Sequence, residues 1–132
     1  MARTLRFLAV AMGLACVAIG AYHFCLGITS VPGEGSAGAT VDSRERFYGA
    51  VFLGYGLAWI WAARHNPIPA AAVRWLAGVF LLGGVGRLVS LAVHGPPQWF
   101  QVVLMVIEVA LPPVYLVLAG ADERRAAVAR LP

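Results

Sequence analysis

Residues 80–95 read FLLGGVGRLVSLAVHG, an apolar run with an arginine, Arg87, near its middle. The run extends upstream, so that residues 70–93 form one greasy block of about the length a bilayer's hydrocarbon core requires, ~20 residues. A charge inside such a block costs ~2.5–3.5 kcal/mol or more when unpaired, and therefore calls for a partner on a neighbouring helix.

Three further blocks of the same kind, residues 5–27, 47–63 and 99–120, flank this one. The 132-residue chain is 61% hydrophobic and 12% charged, against ~25% charged in ordinary soluble domains. A soluble protein this small has too much surface to be so apolar. The expectation is an all-α, polytopic membrane four-helix bundle forming one domain. Its helices span about 5–27, 43–63, 70–93 and 99–120, with an outer loop 28–42 and a tail 121–132. The first block opens with Arg3 and Arg6, like a secretory leader, but its apolar run exceeds the usual ~7–15 residues. It reads as an uncleaved helix.

All ten basic residues are arginine. With four spans, one side carries Arg3, Arg6, Arg64, Arg74, Arg124, Arg125 and Arg130, and the other Arg44 and Arg46. Positive charge collects on the cytoplasmic side, which puts both termini there. The arginines form no basic stripe, so the net charge of +4 does not point to nucleic acid. Cys16 and Cys25 lie nine residues apart on one helix, ~13 Å, too far for a disulfide. No pair of His, Cys or carboxylates has metal-ligand spacing, and no cofactor is expected.

Arg87 lies seven residues before His94, and Glu108 nine residues after Trp99. A tight turn at Gly95-Pro96-Pro97-Gln98 makes helices three and four antiparallel neighbours, so the two charges reach about the same depth, and an Arg87–Glu108 pair is the simplest resolution. Gly83, Gly84, Ser90 and His94 share Arg87's face, while Gln101, Glu108 and Tyr115 repeat at seven on helix four. Pro112 and Pro113 cannot donate to the carbonyls of Glu108 and Val109, and Arg87 has donors for one of them. On helix two, Ala50, Gly54, Ala58 and Ala62 form a ladder of small residues at spacing four, and helix one offers Ala9, Gly13 and Ala21. Asp42 and Glu45 suit the cap and third position of helix two.

Toward the outer ends, His23, Arg46, Tyr48 and Tyr55 add polar groups. Together with Arg87, Glu108 and Ser90 they form the candidate ligand site, an outward-opening polar pocket. The bland alternative is an ion pair that fixes helix register and nothing more.

DSRERFYGAVFLGYGLAWIWAAR, GGVGRLVSLAVHGPP and EVALPPVY, between Asp42 and Tyr115, resemble a family of small bacterial membrane proteins classified only as a domain of unknown function. Arg46-Phe47-Tyr48-Gly49 and Gly86-Arg87 carry the resemblance. It implies four helices and a bacterial inner membrane, and it carries no activity. Two functions stay open. One is a protein that binds or acts on a lipophilic molecule with a polar or anionic group. The other is an accessory or assembly subunit, joined to a membrane protein partner or a second copy, with the ion pair purely structural.

Overall fold

The computed structural model describes residues 2–32 and 37–129. Its elements are α1 (Ala2–Leu26), a 3-10 turn (Gly27–Ser30), α2 (Gly38–Arg64), α3 (Ala70–His94) and α4 (Trp99–Val128). Among the described residues there is no strand, and the all-α expectation holds. Among the described residues, three stretches are long and apolar enough to cross a membrane: Ala2–Ser30, Ala70–His94 and Trp99–Val128. α2 is not among them. Asp42, Arg44, Glu45 and Arg46 occupy its second and third turns, and Gly, Tyr and Trp dilute the apolar part that follows.

The chain divides into two units, Arg6–Arg64 and one that in its described part comprises residues 2–5 and 65–129. In the first, α1 and α2 meet backbone to backbone at glycines spaced by seven: Gly13 and Gly20 on α1, Gly49 and Gly56 on α2. A Cβ at Gly56 would sit 2.6 Å from the Gly13 carbonyl oxygen and 2.7 Å from the Val17 nitrogen. One at Gly49 would sit 2.9 Å from the Gly20 carbonyl oxygen. The expected ladder at spacing four holds only in part: Ala62 is buried, as are Ala9 and Gly13 on α1, but Gly54 faces open space and Ala50 is exposed. Steps of four drift ~40° around a helix, whereas steps of seven drift only ~20° and hold one seam. Cys16 and Cys25 are not joined in a disulfide, as their spacing required.

In the second unit α3 and α4 form an antiparallel hairpin. Gly95 ends α3 at φ 82°, with its N–H donating to the Leu91 carbonyl at 3.0 Å. Glycine reaches that positive-φ conformation without a Cβ clash, and Pro96 cannot continue the helix. α4 restarts at Trp99, and the Gln101 N–H donates to the Gln98 carbonyl at 2.9 Å. It then runs unbroken through Pro112 and Pro113 to Val128, so most of the expected tail is helical. Arg74 near the start of α3 pairs with Glu123 near the end of α4 at 2.6 Å. Two expectations, the loop at 33–36 and the cytoplasmic placement of Arg130, lie outside the described residues.

Candidate binding site

Arg87 is paired with Glu108, as the sequence led us to expect. Its Nε donates to Glu108 Oε2 at 2.7 Å, and a terminal nitrogen donates to Gln101 Oε1. The Glu108 side chain is 7% exposed and that of Arg87 36%, so the acid is buried and the guanidinium half-open. Gly84 sets the approach. A Cβ there would lie 2.9 Å from Val109 Cγ2 and 3.1 Å from Glu108 Cβ, so only glycine lets α4 come this near. Gln101 sits one heptad before Glu108, and the guanidinium bridges the two. Its bonds go to these side chains and not, among the described residues, to the carbonyls that the prolines leave free. Arg87, Ser90, Pro97, Gln101 and Met105 line a cavity of about 220 Å³.

The polar groups of the first unit have a different arrangement. Arg46 Nε meets Asp42 Oδ2 at 2.8 Å, while one terminal nitrogen donates to the carbonyls of Phe24 and Cys25 at 2.9 and 2.8 Å. Those are carbonyls that the end of α1 leaves without helical partners. Asp42 Oδ1 accepts the Ile28 N–H at 2.9 Å. Gly27 turns at φ 58°, and a Cβ there would strike the Asp42 carboxylate. Asp42 therefore ties the 3-10 turn to α2. It does not cap that helix, which begins four residues earlier at Gly38. The hydrogen bond from the Arg46 guanidinium, and then that from the Ile28 amide, hold the Asp42 carboxyl below its ordinary range.

His23 Nδ1 lies 2.6 Å from Ser30 Oγ, and Ser30 Oγ donates to the Gly27 carbonyl at 2.6 Å. A hydroxyl has one proton to give, so the His23–Ser30 bond requires Nδ1–H as donor. Tyr48 is exposed beside Phe47, and Tyr55 stacks on Phe52 at 6.0 Å between ring centroids. The candidate residues thus fall into separate groups: Arg87, Glu108 and Ser90 in the α3–α4 hairpin, and His23, Arg46, Tyr48 and Tyr55 along α1 and α2. Gln101 is the member that sequence reasoning left outside the site, although its spacing of seven from Glu108 is the signal that finds it.

Residues 4–119 match the family model described as Domain of unknown function (DUF4345). Neither the curated proteins nor the solved structures contain a match to the chain.

Proposed function

The chain belongs to the DUF4345 family, and from that premise we propose a multi-pass protein of a bacterial cytoplasmic membrane whose Arg87–Glu108–Gln101 cluster binds the polar head of a lipophilic molecule. Membrane residence is supported by the apolar surface. Leu82, Val89 and Val93 on α3 and Val103, Val106 and Val117 on α4 are all exposed. Surfaces so continuous are covered by lipid or partners in native proteins. The arginine count supports a reading with both termini on the cytoplasmic side and the cluster in the outer half, Arg87 lying ~10 Å below the outer end of α3.

The observation that carries the binding role is the uneven burial of the pair. The acid is enclosed, whereas the arginine lines an open cavity with Ser90 and Gln101 and keeps donors facing it. Arg46 has three of its five N–H donors committed to closing the α1–α2 hairpin. The reading therefore centres on Arg87, Ser90, Gln101 and Glu108.

The test is native mass spectrometry of the tagged chain extracted from its own membranes in dodecyl maltoside. A discrete small mass that survives extraction, and is absent from an equally well-folded Arg87→Lys variant, is the expected result. A bare chain in both samples would reduce the cluster to a register device. A stoichiometric second protein without a small mass would favour the accessory-subunit reading.

A further inference from the structure

The charge balance of the cluster narrows what it takes. We infer that the head group bound at Arg87 is uncharged and presents carbonyl oxygens, as an acyl ester or a quinone does; this rests on reading the cluster as a ligand site.

The one cation is already matched. Arg87 meets the Glu108 carboxylate at 2.7 Å, and that carboxylate is enclosed, so the pair is electrically neutral before any ligand arrives. An anionic head would leave one uncompensated negative charge in a low-dielectric setting, close to the buried Glu108, a costly arrangement. Hydrogen-bonding capacity is unbalanced in the other direction. A guanidinium has five N–H donors, and Arg87 places two of them, one on Glu108 and one on Gln101. Gln101 accepts through its oxygen, so its amide nitrogen keeps two N–H groups. Ser90, on the same cavity, has no side-chain hydrogen bond among the described residues. The cavity wall is thus rich in donors and has no spare positive charge. The ligand that complements it is an acceptor without charge.

Size and lining agree. Pockets for whole drug-sized ligands run ~300–1,000 Å³, and this one is about 220 Å³, with Pro97 and Met105 as its apolar walls. It has room for a ring or an ester group, with the tail left outside.

The test uses the purified full chain in dodecyl maltoside, a detergent without carbonyl groups. Four probes are titrated: decylbenzoquinone and dioctanoylglycerol as neutral carbonyl heads, decanoate and dioctanoyl phosphatidate as anions. Expected is that at least one neutral probe binds ten-fold or more tightly than either anion. The neutral probe that binds identifies the source of the carbonyl. Tighter binding of an anion by the native chain would overturn the inference while leaving a ligand site at Arg87. Binding of none of the four would overturn the site reading itself. Glu108→Gln removes the matching charge and should reverse the preference, with the anions gaining at least ten-fold over the neutral probes. Unchanged preference in that variant, folded by its melting profile, would sink the charge argument. Should Glu108→Gln fail to fold, Ser90→Ala replaces it. Loss of one donor should weaken the neutral probe three-fold or more, and an unchanged affinity would remove Ser90 and the donor argument with it.

Discussion

At the scale of single residues, two ion pairs do different work and respond differently to mutation. Arg87→Ala leaves the enclosed Glu108 carboxylate without its partner. Breaking a buried pair from one side costs ~3–5 kcal/mol, and the 36% exposure of Arg87 places the expected loss at the lower end. Arg87→Ala with Glu108→Ala removes the orphaned charge and should recover at least half of it. Denaturant titration of both variants in detergent checks this, and equal losses would mean that the pair is not energetically coupled. Asp42 is read through pH. Its carboxyl is held below the ordinary value by Arg46 and the Ile28 amide, so the folded state binds the proton less readily than the unfolded state does. The stability this contributes is complete above the unfolded value, near pH 4, and drains away as pH falls through the lower folded value. The Tm gap between the native chain and Asp42→Asn should be full at neutral pH, narrow below about pH 4 and close at lower pH. A gap independent of pH would show that the charge of Asp42 contributes nothing.

At the scale of elements, the α1–α2 seam makes a matched pair of glycine substitutions informative. A Cβ at Gly56 meets the Gly13 carbonyl oxygen at 2.6 Å, whereas one at Gly54 meets nothing within 4 Å. Gly56→Ala must push two backbones apart and should cost ~1–3 kcal/mol, as overpacking does. Gly54→Ala should be neutral or stabilise by up to ~1 kcal/mol, because alanine is the better helix former. Thermal melts of the two variants decide it, and similar melting would deny the close seam. The seam also shows what the sequence could reveal. Small residues on α1 and α2 were legible as a packing signal, but spacing of four and spacing of seven both occur there. Only the rotation of one helix against the other selects Gly49 and Gly56. The α3–α4 register was legible in full, because a four-residue turn leaves Arg87 and Glu108 a single way to meet. The start of α2 was not. Gly38, Ala39 and Thr40 resemble the irregular loop before them, and the tie from Asp42 to Ile28 spans fourteen positions. Arg46 was legible as a polar group at a helix end, yet its acceptors are main-chain carbonyls of another helix, which no side-chain pattern announces.

At the scale of the whole molecule, the number of crossings turns on α2, whose mean hydropathy falls short of that of α1, α3 and α4. The seam argues that it crosses all the same. Gly20 meets Gly49 and Gly13 meets Gly56, so the two helices run antiparallel in step over ~10 Å of their length. Wherever α1 lies in a bilayer, the facing segment of α2 lies at the same depth. Its outward side chains suit that placement, since Val51, Leu57 and Trp61 are exposed. The polar backbone that Gly49 and Gly56 uncover is turned to α1, where a neighbour's backbone covers it. Ala37, just before α2, and His65, just after it, should therefore sit on opposite sides of the membrane. In a background with Cys16→Ala and Cys25→Ala, an impermeant maleimide should label Ala37→Cys in intact cells, and His65→Cys only in inverted vesicles. Labelling of both from one side would make α2 a surface helix, leave three crossings and place the termini on opposite sides. The seven-to-two arginine count, which assigns both ends to the cytoplasm only for four crossings, would then lose its basis, and with it the outer-half placement of Arg87.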